Sequence, residues 1–393
     1  MTQVETAASG SVMFVSSIAR YGGGERWMSD AALGLKRRGH DVQLVARPGS
    51  PLQDKAVSLG IDTTAVEMRS DLDPRAITRL TGLIGRALPD VICVNLDREV
   101  RLCAIALALA KRIHRRGLDE TRLIPRRGSE FPLKDNFRYR IVYNRFVDCV
   151  ITNSNATKKT MLSRTSWFPR AKATVIYNGI DLDDYDRLGE RKPEIRQWFR
   201  RSLGLERDAC LITLIGELNE RKGHRFVIGA AREIIDEHPH ARFLFVGDGD
   251  ARVHIERLLD EGGLRDRCLM LGFRSDVPDI LTASDILVLP SRVEGFGYVL
   301  VEAMAARLPV VASNTSSIPE IVTHGETGYL HDMGDQQAIA VCLKRLLVDP
   351  GLRQSMGEAG YQVVKRKFSY AVMIDQLEQL FFEQRPHEKA GGG

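Results

Sequence analysis

Short apolar runs alternate with longer amphipathic stretches along almost the whole chain. The runs are rich in Val and Ile, as is typical of strands buried on both faces of a sheet. They are Val12–Val15, Val42–Val45, Val91–Val94, Leu123–Ile124, Cys149–Ile151, Val175–Ile176, Leu211–Ile215, Phe243–Val246, Cys268–Leu271, Ile286–Leu289 and Val310–Ala312. Stretches with helical spacing separate them, among them Glu25–Arg38, Arg101–Arg115, Arg225–His238 and Ala251–Glu261. This alternation predicts an α/β fold with parallel sheets covered by helices on both faces.

The alternation stops once and then restarts, which predicts two domains. The stretch 181–208 is charged, contains Pro193 and a basic helical segment at Arg196–Arg201, and shows no strand pattern. We therefore expect an N-terminal Rossmann-like domain over residues 1–185 and a C-terminal one over 186–369. Ligands of doubly wound sheets bind beyond the carboxyl ends of the strands. Two such domains facing a central cleft are the predicted architecture.

Length and composition are those of a folded chain in a reducing compartment. The 393 residues suffice for two or three domains, and 44% of them are hydrophobic. The longest apolar run, Leu102–Ala110, is far shorter than the roughly 20 residues of a membrane-spanning helix. The first residues do not resemble a secretory signal. The six cysteines are scattered without the spacing of a metal site, so we expect a cytoplasmic protein.

Positive charge is concentrated in the first half of the chain. Residues 1–180 contain 29 Lys and Arg against 17 Asp and Glu, a formal charge of +12, whereas the remainder carries −7. The basic positions are Lys36–Arg38, Lys111–Arg116, Arg126, Arg127, Arg138, Arg140 and Arg145. This charge fits a peripheral contact with an anionic membrane or an anionic acceptor, or else a surface that is merely solvated. No zinc-finger, helix-turn-helix or aromatic RNA-binding motif accompanies it, so a nucleic-acid partner is not expected.

Two glycine-bearing loops follow predicted strands and have the chemistry of a phosphate site. Gly22, Gly23 and Gly24 precede a helix, where free amides favour an anion; a tight turn without ligand explains them equally well. In the second domain, Arg221 and Lys222 precede Gly223, and two cations beside a glycine suit a diphosphate. A surface loop whose acidic and basic side chains neutralise each other is the alternative.

The segment 290–304 is the most informative part of the sequence. Glu294 lies in a loop with Gly295, Phe296 and Gly297, and Glu302 follows eight positions later inside the next predicted helix. A loop carboxylate can accept hydrogen bonds from sugar hydroxyls, and the loop amides can bind phosphate. Glu302 can accept both hydroxyls of a ribose, as acidic side chains do in other nucleotide sites. A structural role is the alternative for Glu302.

These motifs together resemble the retaining glycosyltransferases of family four, the glycosyl transferases group 1. The resemblance rests on EGFGYVLVEAMAARLPVVAS, in which seven residues separate Glu294 from Glu302, and on six further motifs. They are GGGER, VIYNGID, RKG, FVGDGD, LGF and GETGYL, which together span most of residues 12–331. The order of the second-domain motifs agrees with the predicted doubly wound pattern. The resemblance implies the two-domain GT-B fold, with the nucleotide sugar held mainly by the second domain. It also implies that a C-terminal helix, here 370–385, packs back on the first domain.

The resemblance implies a role for each matching residue. Lys222 is expected to contact the diphosphate, and Gly23 is expected to approach the same diphosphate from the first domain. Phe273 and Arg274 occupy the positions that contact the base. Glu294 and the amides of Phe296–Tyr298 are expected to hold the sugar and phosphates, and Glu302 the ribose.

Two positions depart from the family pattern. Glu217 stands where many members have an arginine that meets the diphosphate, and we infer that Arg221 supplies this second cation. Arg127 stands where many members have a histidine near the sugar, and its proposed role is to bind an acceptor anion or a sugar hydroxyl. The predicted catalytic residues are therefore Lys222, Arg221, Glu294 and Arg127.

The sequence thus predicts a metal-independent, retaining hexosyltransferase of polysaccharide or lipopolysaccharide biosynthesis. It would move a sugar from a nucleotide diphosphate to a glycan, a lipid-linked molecule or another cell-envelope acceptor, with no cofactor beyond that donor. No histidine, cysteine or carboxylate pattern resembles a metal site. Two alternatives remain: a nucleotide-sugar epimerase of similar fold, and a non-catalytic protein that binds anionic membranes or glycans.

Overall fold

Two parallel sheets account for the strand–helix alternation. The structure is a computed structural model that describes residues 9–114, 117–128 and 131–383. The chain divides into two units, one formed by the residues up to Gly179 together with those from Ala371 onward, the other by Ile180–Tyr370. The division lies a few residues before the predicted position 185, since helix Leu182–Glu190 belongs to the second unit and contacts helix Val277–Ala283 there.

The first unit has a seven-stranded parallel sheet over its described residues. Its strands are β1 (Ser11–Ser16), β2 (Asp41–Ala46), β3 (Asp62–Ala65), β4 (Val91–Val94), β5 (Arg122–Arg127), β6 (Val150–Thr152) and β7 (Ala173–Val175). Their spatial order is β3-β2-β1-β4-β5-β6-β7, so the winding direction changes between β1 and β4. The helices between them are α1 (Gly23–Arg37), α2 (Pro51–Ser58), α3 (Pro74–Ala87), α4 (Asp97–Ile113), α5 (Phe137–Arg145) and α6 (Asn155–Leu162).

The second unit repeats this plan with a six-stranded parallel sheet over the residues described. Its strands are β8 (Cys210–Ile215), β9 (Ala241–Val246), β10 (Cys268–Gly272), β11 (Ile286–Leu289), β12 (Val310–Ser313) and β13 (Gly328–His331). The order β10-β9-β8-β11-β12-β13 changes direction between β8 and β11. Its helices are α7 (Leu182–Glu190), α8 (Lys192–Ser202), α9 (His224–Ile234), α10 (Arg252–Glu261), α11 (Val277–Ala283), α12 (Tyr298–Ala305), α13 (Ile318–Ile321), α14 (Gln336–Val348) and α15 (Pro350–Val363).

The predicted α/β architecture of two doubly wound Rossmann-like domains is confirmed. The central strands are buried on both faces: every residue of β4, β9, β11 and β12 is buried. The apolar pattern does not predict β3 and β13. The first contains two threonines and is half exposed, and the second consists of Gly-Tyr-Leu-His, so neither has a continuous apolar run. Both lie at a sheet edge, where pairing with one neighbour decides the structure.

The C-terminal segment packs against the first unit. Helix α16 (Tyr370–Glu378) continues as a wider helical turn over Gln379–Glu383. Arg38 donates hydrogen bonds to Asp375 and Glu378, and the ring of Phe381 lies 6.5 Å from that of Phe14. Arg38 belongs to the basic run that the sequence assigns to a solvated or membrane-facing surface. In the structure it anchors this helix.

Candidate active site

The change of winding direction in the second sheet brings two strand-end loops together. The loop after β8 carries Lys222, and the loop after β11 carries Glu294, 72 positions later. Because β8 and β11 are neighbours and parallel, their carboxyl ends lie side by side, where doubly wound sheets bind ligands. Lys222 Nζ lies 2.5 Å from Glu294 Oε1, and the two side chains are only 14% and 11% exposed.

Hydrogen bonds to its main chain hold the Lys222 loop in place. Asn219 Oδ1 accepts a hydrogen bond from the Lys222 amide, and the Arg221 carbonyl accepts one from the Arg292 amide at 2.8 Å. Gly223 has φ +73°, and a Cβ at this position would lie 2.4 Å from the Pro290 carbonyl oxygen. Only glycine allows this close approach of the two loops. The lysine is therefore fixed against the segment that carries Glu294.

The Glu294 loop is fixed by a side chain that the sequence analysis does not single out. The buried Ser317 hydroxyl lies 2.8 Å from the Glu294 carbonyl oxygen and 3.1 Å from that of Phe296. Gly297, with φ +85°, then begins α12, so the first amides of this helix open beside the loop. The amino-terminal end of α12 and the lysine together suit an anionic ligand.

Glu302 lies on α12, one helical turn after Tyr298. It is 7% exposed, although a carboxylate in a helix surrounded by Val, Ala and Met is costly to bury unless polar groups meet it. Residues four apart lie on the same face of a helix, so Glu302 lies on the face that Tyr298 begins. This is the position in which a carboxylate can serve a ligand bound at the helix start.

Phe273 and Arg274 follow β10, two strands from β8. The Phe273 ring is 81% exposed, which is unusual for a phenylalanine. Arg274 is occupied by a two-pronged ion pair with Asp276, with Nε at 2.8 Å from Oδ1. Of the two positions expected to contact the base, Phe273 thus offers an accessible aromatic face, whereas Arg274 is already paired.

Glu217, one of the two departures from the family pattern, and Arg221, the cation inferred to compensate for it, have separate surroundings. Glu217 is exposed, and its Oε2 accepts a hydrogen bond of 2.7 Å from Asn219, the residue that caps the Lys222 turn. Arg221 is exposed next to Lys222, and no carboxylate lies within ion-pair distance of it among the described residues. Its guanidinium is therefore available to a ligand.

His224 begins α9 directly behind Lys222 and Gly223. Its imidazole is buried, and burial together with the nearby Lys222 charge lowers its pKa to about 4. The ring is neutral at pH 7 and leaves Lys222 and Arg221 as the cations of this loop. His224 is therefore the first residue of a helix rather than a third cation of the site.

The first sheet has the same arrangement at its own change of direction, between β1 and β4. Gly22 caps α1 and donates its amide to Glu25 Oε2 at 3.1 Å, and Asn95, after β4, donates to the Gly24 carbonyl at 3.2 Å. Gly22 and Gly23 are exposed and Gly24 is half-buried. Burial raises the pKa of the Glu25 carboxyl beneath them, while the Gly22 amide and the Arg126 charge oppose that rise.

Two ionisable groups near these glycines are buried. Arg126 is among the basic positions that the sequence assigns to a surface, which is wrong for this residue, and the sequence does not single out Glu99. Arg126 donates to Asn178 Oδ1 at 2.9 Å and lies over the Trp27 ring. Glu99, on α4, accepts the Ser17 amide at 2.6 Å, and burial raises its pKa to about 7. Asn178 belongs to the VIYNGID motif, which is the one signal in the sequence that points to this cluster.

Arg127 lies in a buried polar network. Its Nη1 is 2.6 Å from Asp97 Oδ1, and it also donates to the Phe131 carbonyl. Tyr143 and Tyr139 donate their hydroxyls to the same carboxylate at 2.6 and 3.0 Å. The position where relatives carry histidine is thus an arginine whose charge is met by Asp97.

Some predicted positions fall outside the described residues, namely Arg115 and Arg116 of the basic run and the last two positions, 384 and 385, of the predicted C-terminal helix. Within the described part of the chain, no helix is both long and apolar enough to cross a bilayer. Nor do the described His, Cys, Asp and Glu side chains form a group of three or more that could hold a metal ion.

Comparison with known families decides what this pair of sheets belongs to. The model of "Glycosyltransferase Family 4" matches residues 21–184, and that of "Glycosyl transferases group 1" matches residues 196–363. Both matches follow the domain order of the structure, and together they span most of the chain. The chain belongs to glycosyltransferase family 4.

Individual relatives of this glycosyltransferase carry out different transfers. Over 307 residues it is 28% identical to the N-acetyl-alpha-D-glucosaminyl L-malate synthase of Bacillus anthracis, covering 78% of this chain and 75% of the relative. It is 30% identical over 218 residues to an Escherichia coli UDP-Gal:alpha-D-GlcNAc-diphosphoundecaprenol alpha-1,3-galactosyltransferase. That second match spans about half of either protein, 54% of each.

The fold of this glycosyltransferase is GT-B. The crystal structure of Anabaena Alr3699/HepE in complex with UDP and glucose matches 94% of the chain with a TM-score of 0.79, and the match covers 99% of that protein. The sequences are only 22% identical, so the likeness establishes the fold alone.

Proposed function

We propose that this glycosyltransferase moves a hexosyl group from a nucleoside diphosphate sugar to an anionic glycan or lipid-linked acceptor, with retention of the anomeric configuration. The Lys222–Glu294 pair at the start of α12 carries the proposal. It places a cation for the diphosphate beside a carboxylate for sugar hydroxyls, at the edge of the second sheet where ligands bind. Retention is supported by membership of the family that the motifs resemble.

In this proposal the chain stabilises the leaving group. Negative charge grows on the diphosphate as the glycosidic bond breaks, and Lys222 with the free Arg221 lies next to it. The amides of Phe296–Tyr298 point from the beginning of α12 toward the same phosphates. Glu294 accepts hydrogen bonds from hydroxyls of the sugar, and Glu302 accepts them from hydroxyls of the ribose. No metal ion is needed for these contacts, so we propose metal-independent transfer.

The acceptor is proposed to be anionic. The first half of the chain carries a formal charge of +12. The Escherichia coli relative acts, by its name, on a diphosphoundecaprenol-linked sugar, and the Bacillus anthracis relative is named for an L-malate product. Both acceptors carry negative charge, which fits a basic acceptor domain.

One surface of the first unit suits a lipid-bearing acceptor at the cytoplasmic membrane face. Phe131 and Phe137 are 73% and 76% exposed, and Ile141 lies on the same helical face as Phe137, one turn later. Exposed basic residues surround them, namely Lys134, Arg138 and Arg145. Exposed aromatic and basic side chains together are typical of surfaces that bind anionic bilayers.

A panel of nucleotide sugars tests the proposal. Slow hydrolysis of one donor, and its transfer to a phosphate-bearing or polyprenyl-linked sugar with a product of unchanged anomeric configuration by NMR, is the expected result. Activity in a chelator should equal activity with added Mg²⁺. Isomerisation of the sugar without transfer would instead indicate the epimerase. Binding without turnover of any donor would indicate the non-catalytic protein.

A further inference from the structure

A basic cavity lies in the second unit, at the amino-terminal ends of strands β11 and β12, whereas the Lys222 and Glu294 loops lie at the carboxyl ends. A cavity of about 370 Å³ opens where Ser284 and Asp285 lead into β11 and where Leu308 and Pro309 lead into β12. Its volume lies within the range of small-molecule sites, about 300–1,000 Å³. The four residues of β11 separate it from the Glu294 loop by about 13 Å, so it does not belong to the proposed donor site.

Cations outnumber carboxylates around this cavity. It is lined by Lys192, Arg196, Arg307 and Arg353, against Asp285 and Glu358. Arg196 pairs with Asp285 at 2.6 Å, and Arg307 with Glu358 at 3.1 Å. Asp285 is further neutralised by Arg200 at 2.8 Å.

Two of the four cations have no carboxylate at ion-pair distance among the described residues. Lys192 Nζ has only the Ala306 carbonyl, at 3.4 Å, and Arg353 Nη1 donates to the carbonyls of Leu346 and Leu347. Burial first, and the neighbouring Arg196, lower the pKa of Lys192 to about 8. The charge of Asp285 opposes this fall in pKa without reaching ion-pair distance, so the lysine lies partly buried in a predominantly positive environment, which costs free energy.

We propose that this cavity binds a small phosphate-bearing anion, held by Lys192 and Arg353. The phosphate supplies the missing negative charge, and the volume leaves room for a sugar or a second phosphate. The site is connected to the donor loop through α12, because Ala306 and Arg307 follow the end of the helix whose first residues border Glu294.

Binding of inorganic phosphate tests the site, with chloride at equal ionic strength as reference. Phosphate should raise Tm of the parent and of Lys222→Met by about 2 °C or more, and this shift should fall by at least half in Lys192→Met. Lys222→Met serves as the control because it removes the cation of the proposed donor site. Pyrophosphate and glucose 1-phosphate, run on the same three proteins, distinguish free phosphate from a phosphorylated metabolite as the better ligand.

Three outcomes would overturn the site: no shift in the parent, equal shifts in all three proteins, or a shift lost in Lys222→Met and kept in Lys192→Met. Glu358→Gln gives an independent measurement should Lys192→Met not fold. Glu358 is exposed, and its replacement removes one of the two carboxylates that pair with Arg307, leaving Asp186 at 3.3 Å, so the cavity gains positive charge. Calorimetry should then show phosphate binding several-fold tighter than in the parent, and unchanged or weaker binding would contradict the proposal.

Discussion

The ammonium of Lys222 contacts the carboxylate of Glu294 across two loops that lie 72 positions apart in the chain. Before a donor binds, each charge is therefore compensated by the other. In the proposed function, a diphosphate takes Lys222 over from Glu294, and this releases the carboxylate for the sugar. The pair would then link recognition of the phosphates to recognition of the sugar.

Lys222→Met should lower kcat about 100-fold and change KM of the donor much less. The ammonium is needed most when charge develops on the leaving diphosphate, and loss of one such donor typically costs this much. Steady-state kinetics with the best donor of the panel measures both constants, with the exposed Lys159→Met as the matched control. A rise in KM with kcat unchanged would show that the lysine binds the ground state and the transition state equally well.

Glu294→Gln should have opposite effects on a nucleotide and on transfer. Removing its charge frees Lys222, so a nucleoside diphosphate without sugar should bind about threefold tighter, roughly 0.7 kcal/mol. Transfer should nevertheless be slower because the amide is a weaker acceptor for sugar hydroxyls. Calorimetry with UDP or GDP, beside kinetics with the sugar donor, separates the two. Weaker binding of both ligands would mean that Glu294 does not compete for Lys222.

Glu302→Ala should weaken nucleoside diphosphate binding about 10-fold and leave the fold intact. The carboxylate is buried at 7% exposure, and hydrogen bonds to a charged acceptor are worth about 1.5–3 kcal/mol. Calorimetry with the 2′-deoxynucleotide is the control. This ligand lacks one of the two hydroxyls, so the mutation should reduce its affinity by a smaller factor. Parent-like affinity in the variant would assign Glu302 a structural role.

His224 should make the second unit less stable in acid. The folded imidazole has a pKa of about 4, against about 6.5 when unfolded, so only the unfolded chain takes up this proton between those values. The contribution is complete above pH 6.5 and is lost as the pH falls toward 4. Denaturant unfolding at pH 7 and pH 5 should show about 1–2 kcal/mol more loss for the parent than for His224→Leu. Identical pH dependence of the two proteins would contradict a buried, neutral ring.

The Arg127–Asp97 contact should be a coupled pair. A double-mutant cycle of Arg127→Ala and Asp97→Ala should give a coupling free energy of about 1–3 kcal/mol, because the arginine is buried and only 25% of the Asp97 side chain is exposed. Arg127→Ala should also reduce transfer to the acceptor. A coupling below about 0.5 kcal/mol would mean that the two charges do not depend on each other.

The proposed membrane contact should depend on apolar and basic residues of the first unit. Phe137→Ser with Ile141→Ser should weaken co-sedimentation with anionic liposomes, and so should charge reversal at Lys111 and Arg112 together with the neighbouring Arg115 and Arg116. The second effect should vanish at high salt. Arg127→Ala is the control, since its buried charge cannot contact lipid. Unchanged co-sedimentation of both surface variants at low salt would leave this charge as a solvated surface.

The sequence by itself determined the two doubly wound domains, because strands buried on both faces need continuous apolar runs and the helices between them need amphipathic spacing. It also indicated Lys222, Glu294 and Glu302, because each lies in a short motif next to such a strand. It did not predict β3 or β13, because these edge strands lack a continuous apolar run and form by pairing with a single neighbouring strand.

Tertiary structure alone decided which charges meet. The Lys222–Glu294 and Arg127–Asp97 pairs, the Ser317 contacts and the Lys192 cavity join residues that are 21 to more than 100 positions apart. No local pattern encodes these distances, since they follow from the order in which the strands pair. Tertiary structure likewise brings Arg38, at the end of α1, against the C-terminal helix rather than leaving it on a free surface. There the carboxylates of Asp375 and Glu378, from the far end of the chain, pair with it.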